Sequence, residues 1–340
     1  MSGSSGSVRG TGQHKDLAAV APTVLEGASR PTPGPIAVLP EPTRLFVDAV
    51  TSAGGTVAPL SAETRGLVWL SESRASDLAD VLAEHPGIEW VQLPWAGVDP
   101  FVPLLSEHAG RALPLWTSAK GSYSEPVAEH ALALCLALLR FLPSKSNSTS
   151  WAPQRMGQSL YGRKVLIVGA GGIAHEFIRL IAPFETEITV VRRTPGAVAG
   201  ASRTVTADKL AEVLPDADVV VLAAASTGET AQIIGARELG IMKSSAVIVN
   251  IARGALIDTD ALVDALQSGS IAGAGLDVTD PEPLPDGHPL WNEPACVITS
   301  HSADTPEMTA PLLAGRIRTN VEAFVGDGRF VGIVDPKAGY

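Results

Sequence analysis

Apolar residues in this chain fall into two alternating kinds of segment. One kind is short and β-branched; the other repeats its apolar positions at helical spacing. The first kind predicts strands at Pro35–Leu39, Thr56–Leu60, Leu67–Leu70, Ile88–Leu93 and Leu113–Ser118. It predicts a second set at Lys164–Val168, Glu187–Val191, Ala217–Ala223, Ser245–Ile251, Ala272–Val278 and Cys296–Thr299. Between them lie predicted helices from Thr43 to about Ala53, over Ala75–Glu84 with Leu78, Val81 and Leu82 on one face, over Ala207–Leu214 and Ala236–Leu239, and from a cap at Asp258 or Thr259 to Leu266. Strands that alternate with helices, and that are apolar on both faces, predict parallel sheets covered by helices. Ser124–Leu142 is too apolar for a surface helix and predicts an interface element, whereas Glu307–Phe324 is long enough to return to the first strand group.

The second group opens with RKVLIVGAGGIAHEFIRLIAPFETEITVVRR, Arg163 to Arg193, which reads as strand, tight turn, helix and strand. Gly169-Ala170-Gly171-Gly172-Ile173-Ala174 fits G-x-G-x-x-G/A. Gly169 permits the sharp turn, Gly171 lets a diphosphate approach the backbone, and Ala174 lets helix and strand pack closely. The helix starts inside the turn, so its free N–H groups face the phosphates. The cofactor-binding set expected here is Gly169, Gly171, Gly172 and Ile173, with Thr227 in a later loop. At the end of the second strand, where an acid would accept hydrogen bonds from an NAD ribose, stand Arg192 and Arg193. Guanidinium groups suit a 2′-phosphate, so NADP(H) is expected over NAD(H), with NAD(H) still usable.

These signals give an α/β chain of two Rossmann-like, doubly wound parallel-sheet domains, the nucleotide-binding domain inserted in the substrate domain. The expected boundaries are 1–34 for a disordered Gly/Ser/Thr/Pro-rich leader, 35–123 with 303–340 for the substrate domain, and 124–302 for the dinucleotide domain. The chain's 340 residues suffice for two cores. Its 36 Asp+Glu against 25 Lys+Arg argue against a nucleic-acid backbone as partner. No apolar run reaches membrane-spanning length. The two cysteines, Cys135 and Cys296, each lie in an apolar run, which fits buried free thiols in a reducing, cytoplasmic setting, and no Cys/His cluster has metal-ligand spacing.

Arg253, Glu282 and His301 each follow an apolar strand of the second group, so their loops should converge on one sheet edge. An arginine can hold a carboxylate by two hydrogen bonds. A histidine can protonate a carbonyl oxygen as hydride reaches its carbon. A carboxylate paired with that histidine favours the imidazolium and fixes its tautomer. Singly, each residue is better explained as loop polarity, a surface ion or a helix cap; their joint occurrence behind a dinucleotide motif points to a site.

The chain resembles the D-isomer-specific 2-hydroxyacid dehydrogenases, which include phosphoglycerate dehydrogenase and the glyoxylate/hydroxypyruvate reductases. The resemblance runs from about Pro35 onward and is carried by VNIARGALIDTDAL (Val249–Leu262), AGLDVTDPEPLPDGHPLW (Ala274–Trp291) and TSHSADTPE (Thr299–Glu307). It implies Arg253 as substrate arginine, Glu282 as acid and His301 as proton donor. It also implies Asp277 as a contact to the nicotinamide amide, Ala96 and Gly97 as the loop whose amides hold the substrate carboxylate, and Glu129 on a helix near the domain junction. The implied substrate is a small 2-keto or D-2-hydroxy acid, and the implied assembly a homodimer, although Pro143–Gly157 is shorter than the family's usual arm. The alternative of a different class is a nicotinamide-sensing interaction protein of the same fold. Formate oxidation is disfavoured by Glu282, and a serine-synthesis role by Arg192–Arg193.

Overall fold

The computed structural model describes residues 21–146, 148–151 and 155–337. Its first sheet is parallel and four-stranded: β1 (Ile36–Leu39), β2 (Gly66–Trp69), β3 (Trp90–Gln92) and β4 (Leu115–Thr117), in that order. The strand expected at Thr56–Leu60 is reduced to one parallel bridge, Val57 to Ile36, on the outer side of β1. The Ile36 amide donates to Thr56 and the Ala58 amide to Ile36. Pairing does not continue along the strand to Leu60. That bridge places the chain on both sides of β1, so the sheet is wound in two directions and its helices cover both faces. Ala49 and Val50 of α1 (Arg44–Ser52) pack with Ile36, Val38 and Trp90. Leu78 and Leu82 of α2 (Ala75–Glu84), with Leu104 and Leu105 of α3 (Val102–Glu107), pack on Ala37, Leu67 and Val91 of the other face.

The second sheet holds β5 (Lys164–Val168), β6 (Glu187–Arg192), β7 (Arg203–Thr206), β8 (Val219–Leu222), β9 (Val247–Asn250), β10 (Gly273–Leu276) and β11 (Cys296–Ile298). It is parallel throughout, in the order β11-β10-β9-β8-β5-β6-β7. The order reverses between β5 and β8, and a crevice opens at such a switch point beyond the carboxyl ends of the strands. Edge strand β7 was not expected, because RTVT is half-exposed and lacks an apolar run. Helices α4 (Ser124–Leu139) and α5 (Gly172–Ile181) pack together on one face, burying Ala131, Leu134, Cys135 and Leu138 with Phe177 and Ile181. On the opposite face lie α6 (Ala236–Ile241) and α7 (Thr259–Gln267). Of the two residues offered as the α7 cap, Asp258 takes the position and accepts from the Ala261 amide at 3.0 Å.

The final helix, α8 (Pro306–Val325), returns to the first sheet, where Ile317, Val321 and Phe324 join the core around Ile36 and Trp90. The ring of Phe324 lies 5.1 Å from that of Trp90. The leader expected to be disordered over 1–34 is not uniform. Thr23–Val24 pairs antiparallel with Arg329–Phe330, while residues 1–20 lie outside the described part. No helix is long and apolar enough to cross a membrane among the described residues.

Candidate active site

The loops after β5, β6, β8, β9, β10 and β11 open along one edge of the large sheet. At β5 the chain leaves through Gly169, whose φ of 114° belongs to the left-handed region. A Cβ there would also lie 2.5 Å from the Ala223 carbonyl oxygen, so the position excludes every side chain. Gly171 is the N-cap of α5, and a Cβ on it would meet nothing within 4 Å. Its α-carbon therefore faces open space directly before a ten-residue helix whose first N–H groups have no intrahelical acceptor. An open, side-chain-free approach to a helix N-terminus fits a diphosphate. Gly172 and Ile173 form the first helical positions and are half-buried.

Arg192 ends β6 beside this turn, since the Gly169 amide donates to the neighbouring Val191 carbonyl at 2.8 Å. Arg192 is half-buried and Arg193 exposed. Thr227 lies in the loop after β8, in a tight turn where the Thr230 hydroxyl accepts from its amide at 2.8 Å. That loop borders the Gly169 turn through Ala223.

Glu282 and His301 meet. Oε1 of Glu282 lies 2.6 Å from Nδ1 of His301, and Oε2 accepts from the Thr279 amide at 3.4 Å. The backbone that presents His301 is unusual. Ser300 (φ 49°) and His301 (φ 54°) both adopt the left-handed conformation, which costs about 1–3 kcal/mol per non-glycine residue and persists only where surroundings fix it. Asp277 does the fixing. Its Oδ1 accepts from the Thr299 hydroxyl (2.6 Å) and the Ser302 amide (2.8 Å), its Oδ2 from the Ala303 amide (3.2 Å), and its carbonyl from the His301 amide. His130 of α4 adds a hydrogen bond to the Thr299 hydroxyl at 2.9 Å. Asp277 is thus buried behind the turn, with its carboxylate committed to residues 299–303.

Arg253 faces the small sheet. Its Nε and Nη2 donate to Oδ2 of Asp99 at 3.2 and 2.8 Å, and its Nη1 donates to the Ala252 carbonyl at 2.7 Å. The guanidinium lies against Gly97, where a Cβ would be 1.8 Å from Nη2. Ala96 is exposed beside it. Burial tends to raise the Asp99 pKa, but the hydrogen bond and charge of Arg253 outweigh it and hold this carboxyl below the ordinary carboxylate value.

The structure therefore brings Ala96, Gly97 and Arg253 together, and Glu282 with His301. Sequence reasoning missed Asp99, although it stands two residues after Gly97 in the same loop. It also missed Asp304, whose pKa is raised by burial and by Asp277 and Glu72 against the opposing charge of His301. Trp95 and Tyr123 form an edge-to-face pair with centroids 5.5 Å apart, and the Tyr123 hydroxyl donates to the Pro94 carbonyl at 2.6 Å. This pair braces the Pro94–Asp99 loop from behind.

Comparison with known proteins adds four findings. A profile described as D-isomer specific 2-hydroxyacid dehydrogenase, NAD binding domain, matches residues 132–303. An uncharacterised protein of Corynebacterium melassecola is 41% identical over 260 residues, 74% of this chain and 84% of that one. A glyoxylate reductase of Pyrococcus furiosus is 35% identical over 219 residues, 61% of this chain and 65% of that one. In structure, a D-isomer specific 2-hydroxyacid dehydrogenase of Xanthobacter autotrophicus Py2, in complex with NADPH and MES, matches with a TM-score of 0.73 at 26% identity, over 91% of this chain and 100% of that one.

Proposed function

Because the chain belongs to the D-isomer specific 2-hydroxyacid dehydrogenase family, we propose that it interconverts a small 2-keto acid and its D-2-hydroxy acid with NADP(H). The observation that carries this reading is the 2.6 Å hydrogen bond between Glu282 and His301, on the sheet edge that also presents Arg253. The dinucleotide, when bound on the Gly169–Ile173 turn, supplies hydride to the substrate's carbonyl carbon. Arg253 holds the substrate carboxylate, with the backbone amides near Ala96 and Gly97 as further donors. Glu282 fixes the tautomer and orientation of His301 through Nδ1. His301 then gives its Nε2 proton to the carbonyl oxygen, so the ketone gains one hydride and one proton and becomes the hydroxyl. Asp277 keeps the His301 turn in place from behind.

Arg192 and Arg193 support NADP(H) over NAD(H), since a guanidinium can meet a 2′-phosphate where no carboxylate meets a ribose hydroxyl. A homodimer is part of the same reading. The decisive experiment follows NADPH and NADH oxidation by absorbance with glyoxylate, hydroxypyruvate, pyruvate and a bulky aromatic keto acid. Turnover with NADPH well above NADH is expected. Binding of NADPH without turnover of any keto acid would sink the reductase reading in favour of a nicotinamide-sensing protein.

A further inference from the structure

Arg253 carries five N–H groups, and three of them are already committed. Nε and one hydrogen of Nη2 go to Oδ2 of Asp99, and one hydrogen of Nη1 goes to the Ala252 carbonyl. Two remain, one on Nη1 and one on Nη2, the two nitrogens that form the end-on edge of the guanidinium, whose outward N–H bonds are parallel. That is the pair that matches the two oxygens of a carboxylate. The side-on edge, Nε with Nη2, is closed by Asp99.

Asp99 is well placed for this. It opens the short turn Asp99–Phe101, whose flanks Val98 and Phe101 are buried at 3% and 1% exposure. The Phe101 amide donates to the Val98 carbonyl at 2.8 Å and closes the turn. The backbone that carries the exposed carboxylate is therefore fixed by packing, and the side chain has only two torsions, whereas the arginine it receives is a long side chain with many rotamers. Gly97, on the same loop, completes the seat by leaving room for Nη2.

We propose that Asp99 is a positioning residue for Arg253, taking the side-on edge of the guanidinium so that the end-on pair is presented to the substrate carboxylate. This inference rests on the reductase reading given above. It differs in sign from the other role open to a carboxylate on that arginine, a competitor that substrate must displace. Removing a positioning residue weakens substrate binding, whereas removing a competitor strengthens it.

The test compares wild type, Asp99→Ala and Asp99→Asn. It uses glyoxylate KM and kcat at saturating NADPH, and oxamate titrated into each protein–NADP+ complex, followed by tryptophan fluorescence. Loss of one charged hydrogen-bonded contact is worth about a tenfold change or more. In Asp99→Ala, KM and the oxamate dissociation constant should therefore rise about tenfold or more, with kcat within about threefold. Asp99→Asn keeps an oxygen acceptor for Nε and Nη2 and should recover part of the loss. Unchanged or tighter binding in Asp99→Ala, with wild-type turnover intact, would overturn the inference alone. A wild type that neither turns over keto acids nor binds oxamate would overturn it together with the reductase reading.

Discussion

Gly97 and Arg253 occupy each other's space: a Cβ on the glycine would stand 1.8 Å from Nη2 of the arginine. The obstructed atom is the far end of a flexible side chain, so Gly97→Ala should fold normally with its melting temperature nearly unchanged. The displaced guanidinium can no longer address a substrate carboxylate from its present seat. KM for the preferred keto acid should rise about ten- to a hundredfold, the worth of a charge-assisted pair of hydrogen bonds. Steady-state kinetics beside a thermal melt checks this, and an unaltered KM would remove Arg253 from the proposed role.

Substitution of His301 by Ala should lower kcat by roughly two to four orders of magnitude, the usual effect of losing a positioned acid. Glu282→Gln is the more discriminating variant. The amide is isosteric but uncharged and can turn its NH2 toward Nδ1, so the ring is no longer held in one tautomer with Nε2 carrying the proton. The value of kcat should fall about tenfold or more while the KM for keto acid stays close to wild type. Steady-state kinetics with kcat unchanged would separate Glu282 from the proton transfer.

Arg192 ends the strand whose preceding carbonyl receives the Gly169 amide, which places it next to the expected dinucleotide ribose. Arg192→Asp should cut kcat/KM for NADPH about tenfold or more and improve NADH, since a carboxylate repels a 2′-phosphate and accepts from a 2′-hydroxyl. An unchanged NADPH:NADH ratio would show that the preference, if present, has another source.

Arg316 of α8 is fully buried, with Nη2 donating to the Lys120 carbonyl at 2.9 Å and no hydrogen-bond partner for Nε or Nη1 among the described residues. Burial pushes its pKa down to about 10. Above about pH 10, an unfolded chain therefore holds a proton that the folded one has released, and stability rises with pH there. Below that range the folded protein bears the full cost of the buried charge. Arg316→Met should consequently raise the melting temperature at pH 7, by an amount equivalent to roughly 1–4 kcal/mol. A marked fall in a calorimetric scan would mean that the Lys120 contact outweighs the buried charge.

Much of the architecture was legible because parallel strands covered on both faces must be apolar at every position. Val219–Leu222 and Val247–Asn250 announce themselves in this way. Arg203–Thr206 did not, because an edge strand with polar positions has the composition of a loop. Thr56–Leu60 misled in the opposite direction, since its composition suits a strand but it touches β1 only through the single bridge at Val57. At the site, Glu282 and His301 were legible as residue types after strands of one sheet. Asp99 was not, because its significance depends on an arginine 154 positions away in sequence. Nothing in local composition marks such a pairing. The strained turn at Ser300–His301 was equally hidden, as it is held by an aspartate just beyond the end of another strand.

The two charged contacts of the site divide between the two lobes of the molecule unequally. Glu282 and His301 belong to loops of one sheet and travel with it, whatever the other lobe does. Arg253 and Asp99 sit on opposite lobes, so their contact spans the two. A hinge movement would leave the acid intact and dismantle the anion seat in one stroke. Release of a bound carboxylate would thus need no rearrangement within either lobe.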